Sequence, residues 1–354
     1  MVKANSYGLG ASPISLMLET LDAVDSFAVA TIDEALSLRS AGITKDILIL
    51  GIVDPTRIQE CITHNLTVTV ASVESAQLLD SSISSTLKVH IALDTGMGRL
   101  GLPTTNINDT TRSVHTINKL KNIEVEGLFT HLSVSDSTLP EDIIFTKKQI
   151  KTLVTIENTL KEEGLSFKKI HYCNSAGSLF YYDPTHPFIR PGIIIYGLSP
   201  NPAIDLPIDL ENVVTIHAKI IQLKKMAPGT PIGYGRSFIA KKEMIVAVAS
   251  IGYADGLDRR LSNRGFIHVN NSLAPIVGKV CMDMLMIDVT SIKGVAVGNE
   301  ITLCGKDLDI LTNPTNTASI DTISYELISI LSPRLPRIYY TFTNSSVALS
   351  QVHN

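Results

Sequence analysis

Three observations on the sequence predict an α/β protein: a (β/α)8 TIM-type barrel followed by a mainly antiparallel β-domain. Over the first two-thirds, eight short apolar runs alternate with helical patterns, at about 1–3, 27–30, 47–50, 67–70, 88–93, 125–130, 169–173 and 188–190. After Pro200 the texture changes to closely spaced β-rich segments. A length of 354 residues is enough for two domains that each bury a core. Strands separated by helices need crossover connections, which are right-handed and give a parallel sheet. Eight such units close into a barrel whose reactive groups belong at the C-terminal strand ends.

The helical stretches carry recognisable starts and stops. Ser12-Pro13 places a capping hydroxyl before a proline at the first helical position. Thr31-Ile32-Asp33-Glu34 is a capping box, and Gly42 suits the C-terminal stop of that helix. Asn201-Pro202 through Pro207 reads as a linker, dividing the chain into residues 1–207 and 208–354. Beyond it, strands are expected at 213–221, 244–250, 265–269, 275–277, 285–289 and 300–304. Asn270-Asn271 and Gly298-Asn299 stand where turns are needed. A late helix over 320–331 would be capped by Ser319.

Composition narrows the function classes. The net charge of −4 offers no basic footprint for nucleic acid and no polybasic membrane anchor. Four cysteines, Cys61, Cys173, Cys281 and Cys304, are widely spaced without a CxxC pair, which suits a reducing compartment rather than a disulfide framework or a zinc site. No apolar stretch reaches membrane-spanning length, and no charged segment precedes an apolar one at the start. The expectation is a soluble, cytoplasmic, enzyme-sized protein.

The chemistry is concentrated in five segments. Val2-Lys3-Ala4-Asn5-Ser6-Tyr7-Gly8-Leu9-Gly10 ends an apolar run on a lysine, with a tyrosine and two glycines after it. An amine there can form an imine with an aldehyde, while the tyrosine and glycine backbone can reach a phosphate. Alone, such a lysine reads as a solvated charge. The other four are Asp94-Thr95-Gly96-Met97-Gly98-Arg99-Leu100-Gly101, Asn174-Ser175-Ala176, Arg190-Pro191-Gly192-Ile193-Ile194-Ile195-Tyr196-Gly197 and Ile251-Gly252-Tyr253-Ala254-Asp255-Gly256. In this order they resemble the alanine racemase family, whose members use pyridoxal 5'-phosphate. The resemblance runs from the first residues to about Arg337.

That resemblance implies roles. Lys3 would hold the cofactor and, once released by substrate, act as one base. Tyr253 would be the other base, supplied in the family by the partner subunit of a homodimer. A phenol with a pKa near ~10 needs nearby positive charge or hydrogen bonds to act at neutral pH. Arg190 would donate to the pyridine nitrogen without protonating it, because guanidinium keeps its protons. His131 would pack near the ring and orient Arg190, with Asn174 as a neighbour of the cofactor. The phosphate would take Tyr7, Ser175, Tyr325 and the N–H groups of Gly192 and Ile193, since a dianion favours several donors. Arg99 and the Met282 backbone, in Cys281-Met282-Asp283, would receive the substrate carboxylate. The implied reaction interconverts L-alanine and D-alanine, supplying D-alanine for peptidoglycan, with no metal.

Three departures from the family pattern stand out. The family has a strand and a helix upstream of its lysine motif, whereas only Met1 and Val2 precede Lys3 here, so an open barrel edge is expected. Ala92 stands where the family commonly has a carbamylated lysine that pairs with Arg99. Leu9 replaces a histidine between the two glycines. Two other readings remain open. One is a non-catalytic cofactor carrier or degenerate racemase. The other is an amino-acid decarboxylase of the same fold, against which Tyr253 and Arg190 both argue.

Overall fold

The computed structural model describes residues 1–304, 320–343 and 346–351. They form two compact units: one of residues 1–6, 11–195 and 199–209, and one of 7–10, 196–198 and 210–354. The first holds a parallel sheet in the order β1 (Ser26–Val29), β2 (Asp46–Ile49), β3 (Leu66–Val70), β4 (Leu87–Asp94), β6 (Ile123–Phe129) and β7 (Lys169–His171). A short strand β5 (Leu102–Pro103) pairs with the end of β4. Helices follow these strands as the alternating pattern demands, and Phe27, Val29, Ile47, Ile49, Val68, Val70, Val89 and Ile91 are buried among them. Strands buried on both faces read as continuous apolar runs, which is why periodicity located them.

Six of the eight expected runs are strands; the first and the last make isolated hydrogen bonds and a bridge rather than ladders. Val2 N–H donates to Ala28 O at 3.0 Å, while 188–190 contributes a single parallel bridge, Phe188 with His171. Pro187 and Pro191 flank that last run and can donate nothing to a ladder. The edge expected to be open is bridged by the first two residues: among the described residues β1 forms a ladder with β2 alone, but Val2 bonds to Ala28 and the Met1 amino group donates to Pro191 O at 3.1 Å. A cavity of about 370 Å³ borders Phe27, Ala28, His90, Lys169 and Phe188.

The helix at Ala11–Glu19 starts before Ser12, which corrects the expected cap. Its first N–H group, on Ala11, donates to Asn5 Oδ1 at 2.8 Å instead. Proline in a first turn costs nothing, because N–H groups there lack an intrahelical acceptor. Thr31 and Glu34 do form the expected capping box on the helix Ile32–Ser40, and Gly42 follows it in the left-handed region at φ +98°.

The second unit is built on an antiparallel sheet. Its order is β13 (Ser272–Pro275), β12 (Phe266–Val269), β15 (Glu300–Cys304), β8 (Ile216–Met226), β11 (Met244–Ala249) and β14 (Leu285–Asp288). Short strands β9 (Pro231–Ile232) and β10 (Phe238–Ile239) pair with each other. Strand β8 is longer than expected because its first half pairs with β15 and its second with β11. Asn270 and Asn271 adopt φ of 47° and 59° between the paired Val269 and Ser272, a two-residue hairpin that asparagine tolerates. That tight turn starts the return strand at Ser272 rather than at the expected 275. The late helix is Ser324–Ser329, with Ile323 at its N-cap; Ser319 lies outside the described residues. Strands β16 (Ile338–Thr343) and β17 (Ser346–Gln351) form a final hairpin. No helix among the described residues is long and apolar enough to cross a membrane.

Glu34 ties the helix cap to the chain's opening turn. Its carboxylate accepts from Ala30 N–H at 2.7 Å and Thr31 N–H at 3.3 Å, and from Ala4 N–H at 2.6 Å. Thr31→Ala should therefore cost about 1 kcal/mol, a lost cap, whereas Glu34→Ala should cost about 2 kcal/mol. Urea unfolding midpoints check this; equal costs for the two variants would remove any weight from the bond to Ala4.

Candidate active site

Lys3 opens a single left-handed turn. Ala4, Asn5, Ser6 and Tyr7 all have φ of 51–55° with ψ of 47–52° for the first three. Such backbone costs roughly 1–2 kcal/mol per residue for side chains other than asparagine, so neighbouring bonds must hold it. They do: Ser6 N–H donates to Val2 O at 2.9 Å, Glu34 takes Ala4 N–H, and Asn5 caps the next helix. The turn fixes the half-buried Lys3 at its head. Burial lowers the pKa of the Lys3 amine, the Arg99 guanidinium lowers it further, and Glu34 opposes both.

Arg99 is delivered by a loop that only glycines allow. Asp94 Oδ1 accepts from Gly96 N–H at 3.1 Å and Gly98 N–H at 3.0 Å, and a Cβ at Gly101 would sit 2.6 Å from Asp94 N. Ala92, two residues before Asp94, is buried within β4. The charge of Arg99 is felt by three groups of the same unit: Lys3, His131 and Arg190 all have pKa values lowered by it. His131, after β6, is held near 3 by burial first and then by Arg190, Arg99 and Lys3, so it is neutral. Gln149 supports both loops, donating to Thr95 Oγ1 at 3.4 Å and His131 O at 3.2 Å while Ser133 N–H donates to its Oε1.

Arg190 is buried after the 188–190 run, and its partners are all neutral. It donates to His171 Nδ1, to Thr130 O at 2.8 Å and to Tyr172 O at 3.4 Å, so the histidine bonded to it is His171 rather than the expected His131. Among the described residues no carboxylate comes within ion-pair distance of it. Burial draws its pKa down to about 10, which still leaves it charged at neutral pH. An uncompensated buried cation is costly unless a ligand uses it.

Around the neighbouring helix Ser175–Phe180 the expected donors are rearranged. The N-cap is Asn174 rather than Ser175: Asn174 Oδ1 accepts from Gly177 N–H at 2.9 Å and Ser135 Oγ at 2.8 Å, and its Nδ2 donates to Leu132 O at 3.1 Å. Gly192 N–H is not free, since it donates to Ser175 Oγ at 2.8 Å. That bond leaves the Ser175 hydroxyl proton available to an anion. Ile193 opens a 3-10 turn to Tyr196, whose first N–H groups have no partner within the turn.

The second unit groups three tyrosines. The Tyr7 ring lies 5.2 Å from that of Tyr196 and 6.1 Å from that of Tyr325, both tilted, and burial raises the Tyr7 phenol to about 12, keeping it a donor. Tyr253 opens a 3-10 turn that is sewn to the segment carrying Met282. Tyr253 N–H donates to Cys281 O and Ala254 N–H to Met282 O, each at 3.0 Å. A Cβ on Gly252 would meet Cys281 O and Met282 O at 2.3 Å, so the two segments approach this closely only through glycine. Buried Asp255 accepts from Gly252 N–H at 2.8 Å and from Arg334 Nε at 2.7 Å, while Arg334 also reaches Asp283 at 2.8 Å. Tyr253 and Met282 themselves are 41% and 52% exposed, unlike the buried glycine and aspartate that hold them.

Sequence reasoning missed His90, His171, Gln149, Tyr196 and Arg334. The available signal for the histidines was a polar residue inside each of two apolar runs, 88–93 and 169–173.

The family described as "Alanine racemase, N-terminal domain" matches residues 1–200, and "Alanine racemase, C-terminal domain" matches 213–339. Alanine racemase 1 of Clostridium acetobutylicum is 37% identical over 346 residues, covering 96% of this chain and 88% of the relative. The alanine racemase structure from Bacillus anthracis with bound L-Ala-P is 34% identical with a TM-score of 0.88, covering 99% of this chain and 89% of that one. The alanine racemase structure from Bartonella henselae with covalently bound pyridoxal phosphate is 27% identical with a TM-score of 0.81, covering 94% and 89%.

The field of Arg99 at Lys3 gives a direct test. Arg99→Leu should raise the Lys3 pKa, though burial keeps it below that of a free lysine. The pH midpoint for reductive methylation of Lys3 should move upward accordingly. No movement would mean that Arg99 does not act on this amine.

Proposed function

The chain belongs to the alanine racemase family, and on that premise we propose that it is an isomerase interconverting L-alanine and D-alanine, with pyridoxal 5'-phosphate as cofactor and D-alanine destined for peptidoglycan. The observation that carries this reading is that, within one unit, the charges of Arg190, Arg99 and Lys3 all act on one buried, neutral histidine, His131. The residues fit the cofactor chemically. Lys3 is an amine with a lowered pKa, Arg190 a buried cation bonded only to neutral acceptors, and Tyr7 a phenol kept protonated.

When bound, pyridoxal phosphate supplies the electron sink that makes an amino acid's α-proton removable. The rest is the work of the side chains. Lys3 attaches the cofactor and, when free, takes or returns the α-proton at Nζ on one face. Burial and Arg99 lower its pKa, which favours the neutral, basic form more than in a free lysine. Tyr253 serves the opposite face at Oη. Arg190 would donate a hydrogen bond to the ring nitrogen while keeping its own proton, so the cofactor would supply a tempered electron sink there. Arg99 and the Met282 backbone N–H receive the substrate carboxylate, a planar group suited to guanidinium. In the first unit the Ser175 hydroxyl and Ile193 N–H are the phosphate donors, with Gly192 holding Ser175 in place; Tyr7 and Tyr325 of the second unit are donors that the family resemblance assigns to the same group. Asn174, beside the cofactor, also fixes this helix start through three bonds to protein groups.

We further propose a homodimer in which each subunit's Tyr253 and Met282 serve the other's Lys3. Their exposure in the single chain supports this, as does the rigid sewing of their two segments by Gly252, Asp255 and Arg334. A symmetric pair closes two sites with one interface.

Borohydride fixation and peptide mapping should place a pyridoxyl group on Lys3. Tyr253→Phe should lower racemisation by at least about a hundredfold, the scale of a lost general base, while the visible absorbance of bound cofactor persists. A label on another lysine, or an active Tyr253→Phe enzyme, would overturn these assignments.

Dimerisation has its own test. Lys3→Ala and Tyr253→Phe chains, each inactive alone, should regain one working site per heterodimer when mixed. Purified heterodimers without activity would place both groups in one subunit's site.

A further inference from the structure

Behind Arg190 lies a second buried histidine that the proposed reaction does not use. His90 on β4 and His171 at the end of β7 are separated by the intervening strand β6, yet His90 Nδ1 lies 2.8 Å from His171 Nε2. Gly127 of β6 makes this possible. It pairs with both His90 and Lys169, and a Cβ there would meet His90 Cε1 at 3.1 Å, His90 Nδ1 at 3.2 Å and Lys169 O at 2.4 Å. Gly127 is therefore needed for space, because its φ is not in the left-handed region. The other face is closed by Phe129, whose ring stacks on His171 at 5.1 Å with 4° between the planes and also lies 5.4 Å from the Arg190 guanidinium.

Proton positions along this line follow from what each group can do. Guanidinium has five donors and no acceptor, so His171 Nδ1, facing Arg190, must offer its lone pair. A neutral His171 then carries its proton on Nε2, which donates to His90 Nδ1. His90 in turn must carry its proton on Nε2. Of the four combinations of neutral tautomers, one alone satisfies both bonds. Protonating either ring would oppose two N–H groups in a buried place. Burial and the nearby Lys169 and Arg190 cations keep both rings neutral, His90 near 3 and His171 well below its ordinary value.

We propose that His90 is a positioning residue for the racemase reaction: its Nδ1 is the terminal acceptor that holds His171 as the Nε2–H tautomer, and thereby aims Arg190 as a donor toward the cofactor's ring nitrogen. This rests on the reading of Arg190 given above. Without His90 the His171 Nε2–H is a buried donor with no acceptor, and the imidazole can rotate or recruit water, loosening the guanidinium it holds.

Asparagine at position 90 places Oδ1 where His90 Nδ1 stood and keeps an acceptor; leucine removes it. In the holoenzyme, 15N-detected histidine spectra should show a pyridine-type Nδ1 and a pyrrole-type Nε2 for both His90 and His171. His90→Leu should lower kcat roughly tenfold, the factor matching about one lost hydrogen bond, with KM little changed. It should also broaden or shift the His171 signals and move the absorbance of bound cofactor. His90→Asn should restore kcat to within roughly threefold of the parent and restore the His171 pattern. Arg190→Gln serves as reference. If that variant leaves cofactor absorbance and turnover untouched, the Arg190 reading falls and this proposal with it. If Arg190→Gln alters both but His90→Leu matches the parent, or His90→Asn is as impaired as His90→Leu, His90 is core packing only. A protonated His171, or one carrying its proton on Nδ1, overturns the proposal directly.

Discussion

The chemistry of the first unit is organised by one buried positive charge. Arg190 sits among the barrel strands without a carboxylate among the described residues, and desolvation of such a cation is tolerable only if each donor finds an acceptor. The structure supplies Thr130 O, Tyr172 O and His171 Nδ1, all neutral. A carboxylate would have satisfied the charge more strongly and quenched it. Neutral acceptors leave the field of the guanidinium standing, and it reaches His131, which it helps to keep unprotonated. The requirement for neutral acceptors also dictates the histidine tautomers behind it, and through them the glycine at 127.

A second constraint acts at Lys3. Four consecutive left-handed residues are an expensive way to leave a lysine, and the cost is offset by bonds from Glu34, Asn5 and Val2 rather than by glycine. The result is a side chain launched from a fixed point, with Arg99 carried by a loop whose three glycines all take positive φ and whose Gly101 leaves no room for a Cβ. Both devices trade local strain for a defined position, which proton transfer requires because it tolerates little positional error. In the second unit the same end is reached without strain: Gly252 permits close contact, and Asp255 and Arg334 fasten the Tyr253 turn to the Met282 segment.

Several features were legible in the sequence because they depend on local rules. The alternation of buried runs with capped helices gave the parallel sheet, the Thr31–Glu34 box gave a helix start, and Asn270-Asn271 gave a hairpin. Motif order gave the family and with it Lys3, Arg99, Arg190 and Tyr253 as candidates. Local rules failed where partners come from afar. The Ala11 helix is capped by Asn5 rather than Ser12 because the left-handed turn brings that carboxamide back. The 188–190 run is not a ladder strand because prolines bound it.

What the sequence determined by itself is therefore the inventory: which residues are candidates for chemistry, the type of most elements, and the class of fold that holds them. Hydrophobic period, caps and turn residues encode those within a few positions of chain. Tertiary structure alone decided how the inventory is wired. That His90 reaches His171 across an intervening strand, that Gly192 N–H is committed to Ser175, and that Glu34 serves Ala4 as well as its own helix are matters of register and three-dimensional approach. Sequence spacing cannot express them, because each bond joins groups whose separation along the chain, up to 81 residues for the histidines, bears no relation to their separation in space.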